Sequence, residues 1–271
     1  MTDPDRQVDP PDLPDPGTAD RFEATVAELT ADDVPAHQRR RLLGRLVEQI
    51  RQRGVSELFK PTAAVRWLVQ AVSDVAPYIP VRDLATLRRH HPDLDDEALA
   101  DRLIRNAARA SAGIGAAGGG VAAVQWAATP TLLSAPVLLA AETVAVVAVE
   151  LKLLGELHQV YGVPMPGTGT ERAVNLIHAW ASQRGVNPMV PGVGVGAVLG
   201  TAARRELSDL LMRRVGRNLT TLGPFLTGAA VASYLNRRAT RALADRVRAD
   251  LRSQRRALGV MHPPAPPAIG P

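Results

Sequence analysis

The chain contains no cysteine. Disulfide scaffolds, thiolate zinc sites, iron–sulfur clusters and cysteine nucleophiles are thereby excluded together. Aromatic residues are scarce at 3%, so the apolar material is mostly Ala, Val, Leu and Gly. Only Lys60 and Lys152 are lysines, and neither follows a glycine. A Walker A phosphate loop is therefore ruled out. No run of alternating apolar and polar residues marks a strand. The mean hydropathy of −0.03 is too low for a polytopic transporter, whose spans would dominate the average. The six histidines show no H-E-x-x-H or other tight ligand spacing, so neither a metal nor a cofactor is expected.

What is present is a 271-residue chain of net charge +5 with sharply uneven charge placement. Residues 1–20 hold five prolines and six aspartates against one arginine, which reads as a disordered acidic tail. Residues 257–271 read as a second disordered Pro-rich tail. Between them the pattern predicts an all-α fold: an N-terminal helical region over 21–91 and a larger helical domain over 92–256.

The periodicity predicts helices over Pro35–Arg53 and Pro61–Ala76, with a short piece at Val81–His90. On the first, Leu42, Leu43, Leu46, Val47 and Ile50 form one apolar stripe. A long helix opens at Pro92–Glu97, with acids in its first turn, and runs to Ala127 or Ala128. Thr129-Pro130 stops it, and Pro136 starts a return helix that extends to about Tyr161. Further helices are predicted from Thr168 to about Gly185, over Val195–Val215, and from Leu222 or Pro224 to about Arg256, the last with a possible break.

The stretch Ala110–Ala141 contains 32 residues without a charge. Within it Gly115, Gly119, Ala123 and Ala127 lie four apart, as do Ala108, Ala112, Ala116 and Gly120. Gly192, Gly196 and Gly200 form another row, and Pro224, Gly228, Ala232 and Asn236 a further one. Glycine costs about 1 kcal/mol relative to alanine inside a helix, so these stripes require a packing reason. They suit either close helix packing in a soluble bundle or packing within or against lipid. The hairpin over 110–160 carries Glu142 and Glu150 on its return arm. Arg102, Arg105, Arg109 and Lys152 stand at its open end. A hairpin dipping into one leaflet from the cytoplasmic side fits these charges better than two full spans. Glu142 and Glu150 read as acids paired structurally, with a proton- or ligand-handling pair as the alternative.

Arg237–Arg256 contains eight arginines and two aspartates. Leu243, Val247 and Leu251 make its apolar seam, so Arg237, Arg238, Arg241, Arg246 and Arg248 are candidates for binding an anionic surface. Arg39, Arg40, Arg41, Arg45, Arg51 and Arg53 add a second basic helix. Nucleic acid is disfavoured, because these stretches lack aromatics for stacking and any recognition-helix motif. Gly113-Ile114-Gly115-Ala116-Ala117-Gly118 matches G-x-G-x-x-G, yet a helical pattern precedes it where the dinucleotide fingerprint needs a strand. These glycines are expected inside a helix.

In combination, several features resemble the EcsC protein family of bacteria. They are the Gly/Ala-rich block Ser111–Ala123, a return helix with Glu142 near its start, and its ending at Tyr161-Gly162. Val215-Gly216-Arg217 follows, then Leu222-Gly223-Pro224-Phe225-Leu226-Thr227-Gly228, with Asn236, Thr240 and Ala244 on the closing helix. The resemblance covers roughly residues 80–255. Glutamate replaces the family's usual aspartate at 142, and Leu-Gly-Pro stands where an isoleucine or valine precedes the proline. The resemblance implies an α-helical, membrane- or transport-associated bacterial protein and brings no established reaction.

The expected function is therefore a non-enzymatic, membrane-associated helical protein at the cytoplasmic side of the cell membrane, or in the cytoplasm. Its expected partners are anionic lipid, a second copy of itself or a transporter component. The acidic opening Met1-Thr2-Asp3-Pro4-Asp5 does not resemble a secretory signal. Two rival readings stand beside it: a soluble helical interaction or oligomerisation module, and a hydrolase using Glu142 with a histidine.

Overall fold

Leu42, Leu43, Leu46, Val47 and Ile50 are all buried on one side of a helix, α2 (Ala36–Gln52), as their spacing requires. The computed structural model describes residues 16–128, 135–163, 165–183 and 225–259. Among these residues the fold is all-α, with eight α-helices and no strand.

The helix preceding α2 is α1 (Pro16–Leu29). It corrects the expected tail, since ordered helix begins inside residues 1–20. Phe22, Val26 and Leu29 recur at i, i+4 and i+7 and are fully buried, which anchors α1 in the core. Proline at the first helical position gives up only an N–H that has no intrahelical partner. The acidic tail over residues 1–15 and the Pro-rich stretch over residues 260–271 lie outside the described residues.

Gly54 adopts φ +92° just beyond α2 and turns the chain toward α3 (Pro61–Val75), which opens with proline at N1. Asp83 caps α4 (Leu84–His90) by accepting from the Thr86 amide at 2.8 Å. Asp95 accepts from the Ala98 amide at 2.7 Å, where α5 (Asp96–Ala128) begins. The return arm is α6 (Ala135–Val160), ended by Gly162 at φ +66°. The hairpin tip over residues 129–134 lies outside the described residues, as do the helix expected over Val195–Val215 and the Gly192, Gly196, Gly200 row. After α7 (Gly169–Gln183), α8 (Phe225–Ala257) runs unbroken for 33 residues, without the break the sequence allowed.

The α5–α6 hairpin is the centre of the bundle. Helix α6 touches each of the other seven described helices. From Val137 to Leu157 no residue is exposed, and only Leu139 and Glu142 are even half-buried. A helix apolar on every side needs neighbours on every side, and here the protein supplies them. Each fully buried Val or Leu contributes about 1.5–3 kcal/mol, so α6 supplies much of the core. One continuous core runs from Phe22 on α1 to Leu251 on α8, so the regions on either side of residue 91 share it. Among the described residues no helix is long and apolar enough to cross a membrane.

Candidate functional site

The small-residue stripe of α5 finds its partner in α8. A β-carbon added at Gly115 would lie 2.9 Å from the Ala232 carbonyl carbon and 2.9 Å from Asn236 Nδ2. One added at Gly119 would overlap Ala229. The row containing Ala232 and Asn236, recognised separately in the sequence, therefore faces the row containing Gly115 and Gly119. The lack of a side chain at Gly115 and Gly119 lets the two backbones approach closely. Gly118 faces the other way, against the Glu142 carboxylate, which occupies the space its β-carbon would need. Gly120 lies on the same helix. The G-x-G-x-x-G string sits in mid-helix, without the strand-to-helix turn that a dinucleotide needs.

Glu150 is fully buried where α5, α6, α7 and α8 converge. Trp180 Nε1 donates to Oε2 at 2.9 Å, and the Thr240 hydroxyl donates to Oε1 at 2.9 Å. Ser111 Oγ lies 3.0 Å from Thr240 Oγ1 and extends the chain of hydroxyls. The two acids named together in the sequence thus occupy different surroundings, Glu142 beside Gly118 and Glu150 in this polar knot.

A second polar centre escaped the sequence reading. Arg82 grips Glu156 with two bonds of 2.7 and 2.9 Å and reaches Asp32 at 2.8 Å. Lys152 donates to the Thr30 carbonyl at 2.9 Å and to Asp32 at 3.2 Å. Lys152 is therefore not a surface charge at the mouth of the hairpin. It is buried, and it ties α6 to the α1–α2 connection. Burial alone would raise the Asp32 pKa, but Lys152 and Arg82 outweigh it and hold the carboxyl below its ordinary value. Burial dominates at Glu156 and pushes its pKa up, despite the opposing pull of Arg82 and Lys152. Two cations and two carboxylates close the set upon itself.

The basic helices divide into inward and outward arginines. Arg39 is buried and donates to the carbonyls of Ala110 at 2.7 Å and Val34 at 3.1 Å, which removes it from the expected surface. Burial pulls its pKa below the ordinary value. Arg248 turns toward the N-terminus of α5, where it pairs with Glu97 and Asp101 and donates to the Tyr161 hydroxyl at 3.0 Å. Arg252 also pairs with Glu97. With the bond from Arg252 as the largest influence, the Glu97 pKa falls to about 2. Arg248 thus fastens α8 to α5 rather than facing outward.

Arg237, Arg238, Arg241 and Arg246 are exposed, and among the described residues no ion pair engages them. Just before them on α8, Val231, Tyr234 and Leu235 are exposed at 42%, 60% and 44%. Their i, i+3, i+4 spacing puts them opposite the Leu243, Val247, Leu251 seam. Tracing that seam backward through α8 would have revealed them.

An open groove of about 790 Å³ lies between α4 and α5, lined in part by Arg88, Asp96 and Arg255. Its charges answer one another, since Asp96 pairs with both Arg88 and Arg255. Among the described residues no group of three or more acids or histidines is placed to hold a metal. His158 Nδ1 bonds the Val163 carbonyl at 2.7 Å, and burial lowers its pKa. Comparison with protein-family models, curated proteins and solved structures finds no match.

Proposed function

We propose that this chain is a non-enzymatic helical protein that attaches to an anionic membrane surface from the cytoplasmic side. Arg237, Arg238, Arg241 and Arg246 would hold the headgroups. The observation that carries this reading is four exposed arginines on one helix, without ion-pair partners among the described residues. A basic helical face attracts anionic lipid with about 1 kcal/mol per arginine near the surface. The EcsC-like features point the same way, toward a membrane- or transport-associated bacterial protein. Attachment here is peripheral and runs through α8, because α6 is enclosed by the protein's own helices.

The test is sedimentation with vesicles of phosphatidylglycerol and phosphatidylcholine in equal amounts. Binding should weaken with salt and vanish on pure phosphatidylcholine. Reversing Arg237, Arg238 and Arg241 to glutamate should lower affinity by on the order of a hundredfold or more. Unchanged binding by that variant sinks the headgroup role.

The enclosure of α6 from Val137 to Leu157, where no residue is exposed, favours a second reading, a soluble interaction or oligomerisation module that never meets lipid. Quantitative recovery in the soluble fraction of cells, with no binding to anionic vesicles, would select it.

A further inference from the structure

Among the described residues six large apolar side chains are exposed: Phe59, Tyr78, Val231, Tyr234, Leu235 and Leu258. Singly exposed residues of this kind are ordinary on any protein. Phe59 and Tyr78 stand at opposite ends of α3, and Leu258 lies past the end of α8. Val231, Tyr234 and Leu235 differ, because three fall within five residues on one helical face. At about 100° per residue that face continues through Arg238 and Ala242. Arg238 Nη1 lies 3.5 Å from the Tyr234 hydroxyl, so the apolar and basic stretches adjoin.

We infer that Val231, Tyr234 and Leu235 form a wedge that enters the hydrocarbon edge of the bilayer while Arg238 and Arg241 sit among the headgroups. This inference rests on the proposed membrane attachment and adds the depth and orientation of α8. The occupant is argued from charge and layering. Between residues 231 and 246 the helix carries four arginines and one acid, Asp245. A symmetric contact with a second copy would bury the apolar residues but gather two sets of four arginines with only Asp245 of each copy to answer them. Nucleic acid supplies negative charge but no apolar layer beside it. An anionic bilayer supplies both, with charge directly over hydrocarbon. Tyrosine suits the boundary between them, since its ring is apolar and its hydroxyl polar. Seven residues of helix separate Val231 from Arg238, about 10 Å along the axis, so with the α8 axis tilted toward the membrane normal the apolar residues reach below the headgroups that Arg238 meets.

The absence of native cysteine makes the test direct. Leu235→Cys and, separately, Ala249→Cys are labelled with an environment-sensitive fluorophore in the full-length chain. Ala249 is exposed on the same face farther along α8, so neither substitution disturbs the core. On the equal-part vesicles, emission from position 235 should shift to the blue and be quenched by nitroxides in the acyl chains. Emission from position 249 should do neither. Changing Val231 and Leu235 together to serine should lower partitioning about tenfold or more. Vesicle binding without a spectral change at 235 overturns the wedge and leaves the arginine surface standing. No vesicle binding at all overturns both. A blue shift at 235 in concentrated protein without vesicles, together with a dimer in sedimentation equilibrium, assigns the face to a second copy and also overturns the wedge.

Discussion

The Arg39 side chain lies across Gly113 to reach the Ala110 carbonyl at 2.7 Å. A β-carbon at position 113 would stand 2.9 Å from its Nη1 and 3.1 Å from its Cδ. Glycine here makes room for a buried cation. Gly113→Ala is expected to destabilise the protein by about 1–3 kcal/mol through overpacking, despite the better helix propensity of alanine. With Arg39→Ala already in place the same change should be neutral or stabilising. Urea denaturation of the double-mutant cycle decides it, and additive effects would remove the proposed contact.

Gly119 and Gly44 offer a paired comparison. Gly119 meets Ala229 across the α5–α8 seam, whereas nothing lies within 4 Å of a β-carbon at Gly44 on α2. Gly44→Ala should raise stability by about 0.5–1 kcal/mol, as expected for a helical glycine with open space. Gly119→Ala should lower it by about 1–3 kcal/mol, because backbone must shift. Equal thermal midpoints for the two variants would refute the seam.

The Thr240 hydroxyl serves a fully buried carboxylate. Thr240→Val keeps the volume and deletes the donor, with an expected loss of about 1–3 kcal/mol. Thr240→Ser keeps the donor and deletes a methyl group, which costs about 1 kcal/mol. If valine proves the milder change by equilibrium unfolding, the hydroxyl does not stabilise Glu150.

Acid should loosen the fastening of α8 to α5. The Glu97 pKa is lowered from 4.5 to about 2 in the fold, so its contribution is complete above 4.5 and fades as pH falls toward 2. The stability gap between wild type and Glu97→Gln should therefore narrow across that window. A gap that stays constant in denaturant titrations from pH 6 to pH 2 would show that Glu97 ionisation is not what holds Arg248 and Arg252.

Local period made much of this fold legible. The Leu42–Ile50 stripe, the Pro and Gly boundaries and the glycine row of α5 all express spacing within one helix. Arg39 was misplaced among the surface arginines, although it stands three residues before Leu42 and four before Leu43, on the apolar face, while Arg40 and Arg41 do not. The partner of each stripe was not legible. Lys152 meets Thr30 and Asp32 across more than a hundred residues, and no local spacing announces such a pair. Asp32, Arg82 and Glu156 carry no motif for the same reason. The apolar run of α6 suggested lipid because amino-acid order records hydrophobicity but not its neighbours. Val231, Tyr234 and Leu235 were hidden by the arginines that follow them.

Placing α8 last in the described bundle has a consequence for synthesis. A nascent chain reaches Ser111, Glu150 and Trp180 long before Thr240 leaves the ribosome. Glu97 likewise waits for Arg248 and Arg252. The earlier described helices can gather around α6, but among the described residues the α5 face bearing Gly115 and Gly119 meets its partner only once α8 is made. A chain ended before residue 225 would lack the helix that packs on Gly115 and Gly119 and the Thr240 hydroxyl of the polar knot. Helix α8 therefore couples late-made residues to early ones, so local opening at α8 would together expose the α5 backbone and release the Glu150 carboxylate from Thr240.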